Sequence, residues 1–426
     1  MKLLTLLFTL LLAIPAIAQD RPLVRGMNLT QLGQFIYDAA PAGKPKTPAQ
    51  VAVDQMQAMG VTHVVLNPQA KMFDPRGNDL VPDVPNSERA QERARYKRLI
   101  DYIHSKGMTV GIRPIFFIVK PDGSFPYLET LADGTTKTWW HGNIQPSDVN
   151  RWFESFKQFH DIYILIARLN KVAEYTLGAE LYSMTVGLED QWPQNPYGFP
   201  GRWLSLLRYT RSKLGNNVRI MYDINFTDDT AVSSGDLTAM GGELERWRYR
   251  LVDLANPSNP DEFTVWKDLV DFWNELDAIG IDMYRSLASH HDILPSNYNS
   301  LVSLLQIRSD EYASQIDLTL AEIESVTEKM QYMIFKEVGY RSVNKGFINP
   351  FDYETGLGVY REDHQAAAFE ALFRSFWEPR FPWFQGASFW DVSVSPTRNT
   401  GVGDTGFSPV GKPQTIQVLQ QIYSFE

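Results

Sequence analysis

The chain is organised by a repeated pattern, not by repeated letters. A short apolar run gives way to a loop, a helical stretch, a tight turn and the next apolar run, eight times over. The runs are Val24–Leu29, Val61–Asn67, Met108–Ile118, Val172–Gly178, Val218–Ile224, Ile281–Tyr284, Met333–Lys336 and Gly386–Trp390. Apolar periodicity predicts helices over Thr47–Met59, Ser87–Ser105, Ser147–Asn170, Trp203–Leu214, Phe263–Ala278, Leu318–Met330, His364–Trp377 and Gln414–Tyr423. The punctuation agrees. Thr47 and Ser147 stand where N-caps are wanted, Pro48 takes a first helical position, and Gly60, Gly107 and Gly215 stop helices. Eight strand–helix pairs in series predict the α/β class and a single (β/α)8 barrel.

The connections are unequal. Links from a helix to the next strand are short: Met59-Gly60, Lys106-Gly107, Gly215-Asn216-Asn217 and Ile279-Gly280. Links from a strand to the next helix are long, about 30 residues after the third run, about 35 after the fifth and about 20 after the fourth and seventh. In a barrel these long loops gather at the carboxyl ends of the strands, which is the catalytic face. Residues 19–426 carry no Pro- or Ser-rich linker, so one domain with no appended module is expected.

Residues 1–18 stand apart. Lys2, the apolar run Leu3–Ile14 and the small-x-small site Ala16-Ile17-Ala18 before Gln19 predict a cleavable signal peptide. The run is shorter than the ~20 residues of a spanning helix. A secreted or periplasmic protein without stable membrane insertion is expected. A net charge of −10 argues against nucleic acid and anionic membranes as partners. With no cysteine, disulfides and thiolate-held metals are excluded, and the seven His show no HExxH spacing. No metal and no cofactor are expected, and a monomer is. Aromatics are abundant, with 11 Trp, and many fall in predicted loops, where exposed rings call for something that stacks on them.

Two carboxylates stand out against this frame. Met333-Ile334-Phe335-Lys336-Glu337-Val338-Gly339-Tyr340 places Glu337 where the seventh strand should stop, and Val172–Leu181 delivers Glu180 to the end of the fourth. A lone strand-end acid is as well explained by an ion pair with a nearby Arg. Two of them form a possible reacting pair. An eight-stranded barrel is ~15 Å across, so strands four and seven lie ~14 Å apart and two inward Glu side chains leave a gap near ~5 Å. That is the separation used by a retaining glycosidase. Other strand pairs give similar chords, so geometry permits this pairing without selecting it.

The motifs select it. Gly26-Met27-Asn28, Gly178-Ala179-Glu180, Ile279-Gly280-Ile281-Asp282-Met283-Tyr284, Glu337-Val338-Gly339-Tyr340 and Gly406–Pro413, in this order over most of the chain, resemble glycoside hydrolase clan A and within it family 113, the β-mannanase-type barrels. The resemblance implies Glu337 as nucleophile and Glu180 as acid/base. It implies Tyr284 as a hydrogen-bond donor to the nucleophile and Trp390 as a platform under the reacting sugar, although each could instead be a packing residue. Most of the clan has Asn before the acid/base; here that residue is Ala179, as is usual in family 113, which leaves open what reads the sugar 2-hydroxyl. Asn28, His141, Trp140 and Trp192 join the substrate-binding candidates, as does Arg113, which would serve equally as an ion-pair partner. Trp139, Tyr197 and Trp203 are further ring candidates, and Asp223, Asp282 and Asp391 are placed behind the two Glu. The implied activity is retaining hydrolysis of a β-linked polysaccharide or oligosaccharide, β-1,4-mannan or glucomannan first. The alternatives are β-glucan or xylan by the same mechanism, or a carbohydrate-binding barrel without turnover.

Overall fold

In the computed structural model, which describes residues 22–30, 40–189, 191–227, 242–352, 358–395 and 398–425, eight parallel strands close into a barrel. They are β1 (Val24–Thr30), β2 (His63–Leu66), β3 (Thr109–Ile112), β4 (Glu174–Ala179), β5 (Arg219–Thr227), β6 (Ala278–Tyr284), β7 (Met333–Val338) and β8 (Phe384–Ser393). Each pairs in parallel with its neighbours in sequence, and β8 returns to β1. The helices that follow them are α1 (Pro48–Met59), α2 (Arg89–Ser105), α3 (Val149–Leu169), α4 (Pro200–Leu214), α5 (Pro260–Glu275), α6 (Tyr298–Thr327), α7 (Glu362–Leu372) and α8 (Pro413–Ser424). The expected signal segment lies outside the described residues.

Local chemistry explains most boundaries. Thr47 accepts from the Gln50 amide while the Gln50 side chain returns to the Thr47 amide, and Gly60 closes α1 with φ of 97°. Asp148, not Ser147, caps α3, since its carboxylate reaches the Arg151 amide. Two helices begin three residues earlier than their apolar pattern does. Pro200 and Pro260 start α4 and α5, with Asn259 capping the latter, because their first turns are polar or Pro-led. Ala278–Gly280 belong to β6, so the turn lies at Leu276-Asp277. Helix α6 is 30 residues long, and its first two thirds escaped the pattern because Ser, Asp and Gln dilute the buried Leu301, Leu305, Tyr312 and Ile316. The expected third strand breaks at Pro114, which has no N–H for the ladder. Residues beyond it, Ile115–Ile118, pair instead with Gln69–Met72 in a small sheet outside the barrel.

The outer layer is aromatic. Trp203 on α4 packs on Phe153, Phe156, Tyr222 and Phe272 with ring centroids 5.4 to 6.2 Å apart. The barrel interior, usually filled by branched aliphatics, here carries charge. Lys336 on β7 pairs with Glu174 on β4, with His63 at 3.6 Å and Arg219 at 3.8 Å. Gly280 leaves room for this layer, since a Cβ there would lie 2.1 Å from Asp223 Oδ1 and 2.4 Å from Lys336 Cγ.

Lys336 and the next residue, Glu337, both face the barrel axis, which strand alternation forbids. A bulge resolves this. Ile281 pairs with Phe335 and Asp282 with Glu337, so β7 uses one residue more than β6. The same slip occurs on β4, where Met221 faces Thr176 but Asp223 faces Ala179. Bulges of this kind re-aim side chains beside active sites, and here one precedes each strand-end Glu.

Candidate active site

Glu180 and Glu337 open into one cavity of about 140 Å³ at the carboxyl ends of the strands, together with Arg113, His141, Phe116 and Trp390. Their side chains are 14% and 16% exposed, reachable by a ligand yet largely withdrawn from water.

Each carboxylate has its own set of partners. Glu337 Oε1 accepts from Arg113 at 2.5 Å, and Oε2 accepts from the Tyr284 hydroxyl at 2.7 Å. Glu180 Oε2 lies 2.9 Å from His141 Nε2, and Oε1 accepts from the Asn225 amide at 2.5 Å. The Asn225 orientation follows from its other end, where Oδ1 accepts from the Thr227 amide and hydroxyl. Glu180 itself sits in the left-handed region, φ 55°, a conformation that costs a non-glycine residue about 1 kcal/mol and that clusters at functional sites. Gly178 makes the approach to it: a Cβ there would lie 2.8 Å from the Trp203 ring.

Arg113 donates to three acids. Nε donates to Asp223 at 2.6 Å, one terminal nitrogen to Asp282 at 2.8 Å and the other to Glu337. Burial alone would weaken this cation; the three carboxylates more than reverse that and hold its pKa well above the usual value. Three acids on one guanidinium exceed its charge. Burial and the neighbouring Glu337, Glu180 and Asp223 carboxylates push Asp282 well above its ordinary value against the pull of Arg113.

Burial also works to raise both strand-end Glu. At Glu337 it prevails, helped by the Glu180 charge, over Arg113 and Tyr284, and the net direction is upward. At Glu180 the His141 hydrogen bond and charge, with Arg113 and Asn225, outweigh burial, and the net direction is downward.

The structure sorts the sequence candidates. Tyr284 bonds Glu337, His141 and Trp390 line the cavity, and Trp390 is followed by a cis peptide. Trp140 meets His141 and Tyr182 edge-on. Arg113, which lines the cavity, takes the ion-pair alternative, its nitrogens donating to acids. Two expectations are corrected. Asn28 is fully buried, its amide tied to the carbonyls of Lys336, Ser388 and Phe389, so it fixes β7 and β8 and does not face a ligand. Trp192 is buried against Phe199. Among the other rings, Trp139 is buried with its indole N–H on Glu129, Trp203 donates to the Met184 carbonyl, and Tyr197 bonds Glu262. Asp391 accepts from Thr30.

Asn225 and Glu243 were missed. The apolar run ends strand five at Ile224, although Asp223 and Asn225 are two apart and so share a face. Ala179 offers no amide beside Glu180, and Asn225 of the adjoining strand brings one. Glu243, beyond that strand, gave no local signal.

Residues 258–412, which hold β6 to β8 with Tyr284, Glu337 and Trp390, match the model of Glycoside Hydrolase Family 113. Over that span, 155 of the 426 residues, the chain is similar to family 113 glycoside hydrolases. Glu180 lies outside the matched span. No curated protein matches the chain. Among solved structures, the GH113 β-mannanase AaManA from Alicyclobacillus acidocaldarius in complex with ManMIm is 17% identical over 96% of this chain and 99% of its own, with a TM-score of 0.62. A GH113 β-1,4-mannanase complex is 15% identical over 95% and 100%, TM-score 0.57. A family 5 mannosidase from Rhizomucor miehei is 11% identical over 95% and 92%, TM-score 0.53. At these identities the structural likeness is one of fold. Among the described residues there is no group of three or more His, Asp or Glu placed to hold a metal, and no helix long and apolar enough to cross a membrane.

Proposed function

We propose that this glycoside hydrolase cleaves β-1,4-mannan or glucomannan with retention of configuration, Glu337 acting as nucleophile and Glu180 as acid/base. One observation carries the assignment: two carboxylates share a cavity and are served differently. Glu337 accepts from a cation and a phenol, which keeps its lone pairs directed and its anion available. Glu180 faces an imidazole and an uncharged amide instead. In the first step a Glu337 oxygen attacks the anomeric carbon while Glu180 protonates the departing glycosidic oxygen. Esterification removes the Glu337 charge and with it a repulsion at Glu180, which then serves as base toward water. Attack of that water at the anomeric carbon releases Glu337.

The choice of mannan rests on the β-mannanases and mannosidase that share the fold. We also propose a monomer, one domain over residues 19–426, and export directed by residues 1–18, on the strength of Lys2, the apolar run and Ala16-Ile17-Ala18. The test is a digest of mannan, glucomannan, xylan and β-glucan with product sizing, and proton NMR of the first-formed anomer. Release of the β-anomer from mannan is expected. An α-anomer first would refute retention, and cleavage of xylan or β-glucan alone would move the substrate.

A further inference from the structure

Beneath Glu180 lies a buried network that the mechanism above does not use. Glu243, fully buried, follows the loop after β5. Its Oε2 accepts from the Asn225 backbone amide at 3.2 Å. Its Oε1 accepts from the Tyr222 hydroxyl at 3.0 Å and the Trp247 indole at 3.1 Å. The same Tyr222 hydroxyl accepts from the Leu181 amide at 3.1 Å and shares a proton with Thr185 Oγ1 at 2.7 Å. Glu243 therefore holds Glu180 from two sides. Through Asn225 it fixes the amide on Glu180 Oε1. Through Tyr222 it fixes the peptide that follows Glu180, where the backbone is left-handed.

We propose that Glu243 and Asn225 are positioning residues for the acid/base, a buried carboxyl–amide bracket that keeps Glu180 aimed at the departing oxygen. The proposal rests on the assignment of Glu180 given above. Asn225 has no freedom to do otherwise, since its carbonyl is taken by Thr227 and its backbone amide by Glu243. A carboxyl is required at position 243 because the three groups around it are all donors and a carboxyl can accept from all of them. Those partners are uncharged, and burial, with the Glu180 charge nearby, pushes Glu243 up to about 8. The hydroxyl row Tyr222–Thr185–Leu181 carbonyl accommodates either state, because the shared proton between Tyr222 and Thr185 can point either way.

The test separates acid catalysis from simple stability. Glu243→Gln and Asn225→Ala are compared with wild type by kcat/KM, which reports the glycosylation step, on an unactivated oligosaccharide and on a dinitrophenyl glycoside of the same sugar. The second leaving group departs without protonation. Losses of about 10- to 100-fold on the oligosaccharide but under about 3-fold on the aryl glycoside are expected, within the range that a general acid supplies. Equal losses on both substrates, or none on either, overturn the proposal. Asn225→Ala probes the link from the amide side, so it decides the matter should Glu243→Gln fail to fold. A wild type inactive on all glycosides tried would sink the hydrolase assignment and this bracket with it. A wild type that cleaves another sugar leaves the bracket to be read on that sugar.

Discussion

Replacing Tyr284 by Phe deletes a single hydrogen bond and little else. The ring is buried and packs edge-on against Phe407, contacts that Phe retains, while the hydroxyl donates to Glu337 Oε2 at 2.7 Å. A hydrogen bond to a charged group contributes about 1.5–3 kcal/mol, and a tenfold rate change corresponds to 1.36 kcal/mol. If that contribution is lost on the way to the transition state, kcat/KM falls about 10- to 150-fold. The pH profile carries a second signature. Glu337 must be ionised to attack, so activity falls as pH drops through its pKa. That pKa is already raised by burial, and the phenol is one of the groups pulling it down. Deleting the phenol moves the acid limb to higher pH, not lower. The assay is kcat/KM on a soluble oligosaccharide across pH, with a thermal melt to confirm an intact fold. Unchanged kcat/KM together with an unmoved acid limb would refute the role given to Tyr284 and weaken that given to Glu337.

Further outcomes follow from the same geometry. Glu180→Ala and Glu337→Ala should each lose several orders of magnitude in turnover while binding oligosaccharide by calorimetry; turnover retained in either rejects the catalytic pair. Lys336→Met strands Glu174 inside the barrel, and breaking a buried pair costs about 3–5 kcal/mol, readable as a lower urea midpoint. Glu174 is buried, and Lys336 and His63 hold it well below its ordinary 4.5, so the stability it adds is present above that pH and drains as pH falls; in the Lys336→Met variant this acid dependence should flatten. Asp282→Asn, at a carboxyl whose pKa burial and its acid neighbours raise, should change kcat/KM by less than about 3-fold; a loss beyond tenfold would mean Asp282 works as an anion.

Much of the site was written in one dimension. Glu180 and Glu337 each terminate an apolar run, Tyr284 ends another and Trp390 a fourth, and in a barrel all such ends meet at one face. His141 follows a loop too long to be only a connector. What failed did so for a common reason: a side chain's partners are not a local property. Arg113 looks alike in sequence whether it meets a sugar or three acids. Asn28, inside a recognised motif, is consumed by backbone carbonyls on strands more than 300 residues away. These Trp residues read as platforms, yet Trp139 and Trp192 are buried within their loops and Trp203 packs α4 on its neighbours.

The alternation of apolar runs, caps and unequal links by itself determined that eight strands and eight helices would form and that the long loops would share an end, because these depend on periodicity and short-range hydrogen bonding. Closure decided the rest. Only when β7 lies beside β6 does the extra residue appear that turns both Lys336 and Glu337 inward, one to a buried ion pair and the other to the cavity. Only when β5 lies beside β4 does Asn225 reach Glu180. Charge in a low-dielectric interior is governed by whatever stands within a few ångströms, and in a closed barrel those neighbours come from strands far apart in the chain.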